Sequence, residues 1–186
     1  MRRMLLTWAV LLLLTAGPIS AQRRTPAGPP DLREITARAG TIFLGRVEAI
    51  EWKHAPGGGP GDRVHVTFRV LDGIRGAKAG ETLTITEWSG LWAPGNERYR
   101  TGQTLFLFLY PQSRLGFTSP VAGDAGKLEL TPTQRVVLSP ERASELLPRS
   151  LRLQKGRAAA ATLREQHSAA YAEFAQLVRE LAEAQP

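Results

Sequence analysis

A chain of 186 residues with a formal charge of +7 and no cysteine excludes disulfide frameworks, thiolate metal sites and acylation at a lipobox cysteine. The length suffices for one domain with its own hydrophobic core and an appendage. The basic excess is almost entirely arginine, with lysine only at Lys53, Lys78, Lys127 and Lys155. Nucleic-acid binding requires clustered cations interleaved with stacking aromatics, so the net charge argues for non-specific association and no nucleic-acid partner is expected.

Residues 1–21 read as a secretory signal peptide. Arg2 and Arg3 form the positive n-region, residues 4–16 are almost entirely apolar, Gly17-Pro18 breaks a helix, and Ile19-Ser20-Ala21 precede cleavage before Gln22. The apolar run is shorter than the roughly 20 residues of a membrane span, and the context of a twin-arginine signal is missing. The expectation is ordinary export to periplasm or medium, with no membrane span after cleavage. Residues 22–30, with Arg23, Arg24 and Pro29-Pro30, have nothing to bury and read as a disordered leader.

Residues 31–148 read as the main domain. Asp31-Leu32-Arg33-Glu34 has capping-box spacing and predicts a short helix through Arg38, stopped at Gly40. A strand over 41–52 carries Gly45 as a bulge or bend. After a glycine loop at 56–62 comes a strand over 63–71, where Val64, Val66, Phe68 and Val70 alternate with His65, Thr67 and Arg69. Asp72-Gly73 and the segment 76–80 supply turns. The strand over 82–87 points Leu83 and Ile85 inward and three threonines outward, and the strand over 105–110 is apolar on both faces and therefore central. Short strands follow at 127–130 and 135–138. Ser139-Pro140-Glu141 opens a second short helix through Leu147, with Ser139 as N-cap and Pro140 in the first turn.

Residues 149–157 form a basic connector, read as a solvated linker with an anionic partner as the alternative. Residues 158–184 read as one long amphipathic helix, because Leu163, His167, Ala170, Phe174, Leu177, Val178 and Leu181 recur at helical spacing. That stripe is too apolar to leave in water, so the helix docks on the main domain or on a partner. The fold class is mostly β with flanking helices, and the regular short strands suggest a small barrel or a sandwich.

The segments Thr41-Ile42-Phe43-Leu44-Gly45-Arg46-Val47 and Val66-Thr67-Phe68-Arg69-Val70-Leu71, followed by Arg75-Gly76, Gly80, Arg98-Tyr99-Arg100 and Gly102, resemble bacterial exported proteins with an OB fold like that of netrin modules and tissue inhibitors of metalloproteinases. The resemblance covers roughly residues 32–138. It implies an OB-like small β-barrel and a non-catalytic binding module. The family's inhibitors chelate zinc through an N-terminal cysteine, which this chain lacks, so no inhibitory residue carries over and shared fold does not establish shared function.

Among candidate sites, the strongest is the loop containing Trp88, Trp92, Arg98, Tyr99 and Arg100, because large aromatics and arginine on a glycine-rich loop dominate recognition hot spots. The alternative is that Trp88, Trp92 and Tyr99 fold back to cover the mouth of the barrel. A second binding reading places an oligosaccharide or anionic polymer on the barrel face, with Trp52, Trp88 and Trp92 as stacking platforms. His54, Asp62 and His65 flank a glycine loop without preformed ligand geometry, so no metal is expected. Ser89, Ser113 and Ser119 lack a nucleophile-elbow setting, and Glu51 and Glu87 read as solvated strand-end carboxylates. No catalytic residue and no cofactor is assigned; the expected partner is a protein, with an extracellular polysaccharide as the alternative and an uncharacterised hydrolase as the third reading. A segment at 114–123, again punctuated by glycine, reads as a completion of the barrel.

Overall fold

The computed structural model describes residues 28–54, 62–92, 97–148, 151, 153 and 156–184. The expected signal peptide over 1–21, residues 22–27 of the expected leader, residues 56–61 of the glycine loop, residues 93–96 of the candidate aromatic loop and most of the basic connector lie outside the described residues.

Helix α1 (Leu32–Arg38) begins where the Asp31 carboxylate accepts the Glu34 amide at 2.8 Å. Glu34 itself lies 3.8 Å from Arg38, one turn on. Five strands follow in one antiparallel sheet: β1 (Thr41–Lys53), β2 (Arg63–Arg75), β3 (Thr82–Trp88), β4 (Thr104–Leu109) and β5 (Lys127–Glu129), ordered β3-β2-β1-β4-β5. The register of β1 against β2 slips at Leu44/Gly45, as the glycine suggested. A Cβ on Gly45 would stand 2.6 Å from the Phe43 ring, so the inner face can close on that ring only over a hydrogen.

Strand β2 is longer than its alternation predicts. Asp72-Gly73, expected as a turn, stays in the strand, and the slips opposite Ile42/Phe43 and Leu44/Gly45 absorb it as bulges. The chain reverses only beyond Arg75, where Gly76 and Gly80 take φ of 65° and 87°, values that favour glycine.

Two cores use the two faces of this sheet. On the inner face lie Phe43, Val47, Val64, Val66, Phe68, Ile85, Leu105, Leu107 and Tyr99. On the outer face Ile42, Leu44, Phe106 and Phe108 are buried beneath helices. Strand β4 thus feeds both cores, which is why its sequence is apolar at every position after Thr104. The expected closed OB-like barrel does not form by strand pairing, because β3 and β5 share no ladder. Between them runs an irregular segment that makes one bridge from Phe117 to Thr86 and another from Pro120 to Leu109. Pro120 has no N–H to donate, and the tight turn at Ser113–Gly116, closed by the Gly116 amide on the Ser113 carbonyl, leaves too short a run for a strand.

A second, two-stranded sheet pairs β6 (Arg135–Val137) with β7 (Ser168–Ala170). Helix α2 (Pro140–Leu146) starts at Ser139, whose hydroxyl accepts the Arg142 amide at 3.2 Å. The single long helix expected over 158–184 is replaced by α3 (Arg157–Gln166), β7 and α4 (Tyr171–Glu183). His167 adopts a left-handed conformation with φ of 56°, ending α3, and its carbonyl accepts the Leu138 amide at 2.8 Å. Pairing with β6 overrides the helix propensity of this alanine-rich stretch. The apolar stripe survives the break: Leu163 of α3 and Phe174, Leu177, Val178 and Leu181 of α4 are all buried in the outer core with Leu32 and Ile35 of α1.

Polar groups fasten α4 to the sheet. Asp72 accepts hydrogen bonds from the Tyr171 hydroxyl and the Arg179 guanidinium, each at 2.5 Å. Arg75 donates to the carbonyls of Thr36 and Ala39 at the end of α1 and of Ala182 at the end of α4, where helical carbonyls lack partners of their own. Among the described residues no helix is long and apolar enough to cross a membrane.

Candidate functional site

Alternation along β3 places Leu83, Ile85 and Glu87 on the inner face. Glu87 is therefore carried into the end of the inner core, where its exposure is 0 %. A buried carboxylate is costly unless donors surround it, and here three residues of one following segment supply them. Trp92 Nε1 and Arg98 Nε donate to Oε2 at 3.0 and 2.8 Å. Arg98 Nη2 and the Tyr99 hydroxyl donate to Oε1 at 3.3 and 3.0 Å. Burial, and then the adjacent Glu87 charge, hold the Tyr99 phenol well above its usual pKa, so it remains a donor. For Arg98 burial works against the charge, but the hydrogen bonds and charge of Glu87 outweigh it and raise its pKa.

The rings stack outward from this carboxylate. Phe68 meets Tyr99 edge to face at 5.7 Å, Tyr99 meets Trp92 at 5.7 Å, and Trp92 meets Trp52 edge to face at 5.8 Å. The Lys127 ammonium sits 5.3 Å from the centre of the Tyr99 ring and donates to the Arg98 carbonyl at 2.8 Å. The series grades from core to solvent: Tyr99 is buried, Trp92 half-buried, and Trp52 50 % exposed. Trp52, Trp92, Tyr99 and Ile50 line an open groove of about 410 Å³, with Glu97, Arg100 and Thr101 at its rim.

The residues proposed from sequence separate into three places. Trp92, Arg98 and Tyr99 are brought together on Glu87. Trp88 is not with them: its cross-strand partner is Arg63, whereas Trp52 and Glu87 both flank Val64, so Trp88 belongs to the outer face. Its indole lies over Gly90, where a Cβ would stand 2.4 Å from the ring. Consequently Trp52, Trp88 and Trp92 do not make one stacking platform. Arg100 is exposed, 3.4 Å from Glu129, at a second hollow of about 300 Å³ shared with Lys127 and Asp124. Tyr99 covers the end of the inner core, and Trp92 packs on its ring while also lining the groove.

The other candidates remain apart. Glu51 and Glu87 lie on opposite faces; Glu51 is exposed, and the hydrogen bond and charge of Lys53, 2.6 Å away, lower its pKa. His54 and Asp62 form an exposed pair at 3.0 Å, while His65 stands in the row of Glu51. Among the described residues no three His, Asp or Glu side chains converge on a metal position. The Ser113 hydroxyl accepts the Phe117 amide at 3.1 Å, a turn contact. Glu87, read from sequence as solvated, is the main correction. The signal was available, because Leu83, Ile85 and Glu87 continue one period-two face and Arg98-Tyr99 lie close enough in sequence to satisfy a buried carboxylate. No protein-family model matches this chain, and no curated protein matches it.

Proposed function

We propose that this protein is exported and acts as a non-catalytic binding module, on an OB-like scaffold, that recognises another protein at the cell envelope or outside the cell. The observation that carries the reading is the Glu87-centred network, which fixes the aromatic groove before any partner arrives. Side chains already held by hydrogen bonds lose little further entropy on binding, and a half-exposed Trp52 beside Trp92, rimmed by Glu97 and Arg100, has the composition of an interface hot spot. A groove of this size accepts one or two apolar or aromatic side chains of a partner. Glu87, the carboxylate buried in the site among the described residues, is taken up by hydrogen bonds from Trp92, Arg98 and Tyr99, an arrangement that suits fixed recognition better than proton transfer. The five-stranded antiparallel sheet, with a segment bridged to Thr86 at one point and to Leu109 at another, supports the OB-like reading. Export rests on the character of residues 1–21.

The test is capture from an envelope fraction followed by titration of the purified partner against wild type and Trp52→Ala. The expected result is at least about a tenfold loss of affinity, or roughly 1.4 kcal/mol, with an unchanged melting temperature. A partner that binds both proteins equally would overturn the groove reading. Intact mass of protein recovered from that fraction should correspond to a chain beginning at Gln22, and recovery with Met1 attached would overturn the cleavage.

A further inference from the structure

The outer face of the sheet is covered unequally. Helices bury it over Ile42, Leu44, Phe106 and Phe108, but over β2 and β3 it is bare: Arg63, Arg69, Thr82, Thr84 and Trp88 are exposed, and His65, Thr67 and Thr86 are half-buried. The register sets these side chains in cross-strand rows, Arg63 beside Trp88, His65 beside Thr86, Thr67 beside Thr84 and Arg69 beside Thr82. The strip from Trp88 to Thr82 is about 20 Å long at the usual rise per residue. It begins on an indole, continues along three threonine hydroxyls and has a guanidinium at each end.

We propose that this strip binds an anionic polysaccharide, a chain of sugar rings bearing carboxylates. Three features select that ligand. First, the Trp88 ring is held flat on Gly90, and no side chain but hydrogen is compatible with that contact. The ring is thus fixed on Gly90 while half of the residue stays exposed, a platform for the C–H face of a sugar ring. Second, Thr82, Thr84 and Thr86 repeat hydroxyls about 7 Å apart on one face; that of Thr84 is paired with the Thr67 hydroxyl at 3.0 Å, and a hydroxyl keeps further donor or acceptor capacity for sugar hydroxyls. Third, the cations exceed the carboxylates around them. Lys53 is matched by Glu51 and Arg69 by Glu48 at 3.1 Å, whereas Arg63 forms no ion pair among the described residues. Its fork of donors suits a carboxylate. A protein partner would call for a larger apolar centre than one indole, and a lipid surface for several apolar tips.

This site is separate from the groove, which opens on the inner face. A molecule with both could be held on an envelope or matrix polymer by one face while the other engages a protein.

The test is affinity electrophoresis of the purified protein through gels containing alginate, with dextran as the neutral polymer. Alginate is expected to retard the wild type and dextran is not. Trp88→Ala and Arg63→Ala should each weaken the retardation about tenfold, while Trp52→Ala, in the groove, migrates as wild type does. Thr84→Glu provides a variant at an exposed position away from both the indole and the guanidiniums; its added negative charge should also weaken the retardation. Retardation that is absent in the wild type, equal in dextran, or unchanged in Trp88→Ala and Thr84→Glu would overturn the proposal. So would binding to phosphatidylglycerol vesicles in place of alginate.

Discussion

Glu87 and Asp72 are the two carboxylates on which this structure turns, and both accept from a tyrosine hydroxyl and an arginine. They differ in what they connect. Glu87 gathers donors from Trp92, Arg98 and Tyr99, all close to it in sequence, and fixes a loop against the strand from which that loop departs. Asp72 reaches Tyr171 and Arg179 across most of the chain, and fixes a helix onto the sheet. They differ also in burial, since the side chain of Glu87 is 0 % exposed and that of Asp72 30 %. The same chemical device therefore carries unequal weight: removing a partner from a water-free site strands a charge, whereas at a wet site water replaces it.

The largest break in that comparison is Glu87→Ala. It leaves the Arg98 side chain, only 14 % exposed, without its counter-charge and removes the acceptor of Trp92 and Tyr99. A loss of about 3–5 kcal/mol is expected, read as a lower urea midpoint at unchanged slope. The double variant Glu87→Leu/Arg98→Met sharpens the point. If it recovers most of the stability while the groove loses its partner, the ion pair serves to position the loop and not to hold the fold. Asp72→Asn comes next, with about 1–2 kcal/mol expected because its partners are half-exposed and screened. Hydrogen exchange of α4 amides should quicken in that variant while those of β2 and β3 do not; uniform quickening would show that the clasp and the sheet are one cooperative unit.

The difference between these sites also marks how far the sequence could be read. Strands β1 to β4 were legible because period-two alternation is a local signal, and Val64, Val66, Phe68 and Val70 declare their face without reference to anything else. Asp72 was not, because a turn dipeptide became part of a bulged strand only through pairing with Ile42 to Gly45. The break at His167 was nearly as hidden: His167, Ser168 and Tyr171 weaken the helix only slightly, and the cause lies in pairing with β6, some thirty positions earlier. Glu87 is intermediate. Its face followed from Leu83 and Ile85, but its burial depended on donors whose approach no periodicity reports. The candidate site was consequently found as a loop and missed as a network.

Alkaline pH separates the two sites by a smaller effect. Burial first, and then the adjacent carboxylate, raises the pKa of both Tyr99 and Tyr171. The unfolded phenol titrates near 10. Above that pH the native state keeps protons that the unfolded state has lost, so stability present below about pH 10 falls as pH rises. Tyr99 can contribute up to about 1.4 kcal/mol per pH unit to this fall; Tyr171, half-exposed, contributes less. Urea midpoints measured between pH 9 and pH 11.5 should therefore flatten more for Tyr99→Phe than for Tyr171→Phe. The reverse order would mean that the Asp72 site is the drier of the two.

The smallest effect tests the joint between the two docked helices and has a sign that decides it. His167 holds φ of 56° and ψ of 19° at the end of α3, a conformation that costs a side-chain-bearing residue about 1–2 kcal/mol and glycine almost nothing. Glycine also frees the unfolded chain, which returns roughly 0.4–1 kcal/mol of that gain. His167→Gly should thus raise stability by about 0.5 kcal/mol, seen as a slightly higher melting temperature, and His167→Val should lower it. Were residues 158–184 one continuous helix, the glycine would sit in its interior and cost about 1 kcal/mol instead. A lower melting temperature for His167→Gly would therefore restore the single helix and remove the pairing of β6 with β7, because the left-handed residue is what turns the chain from α3 into that strand.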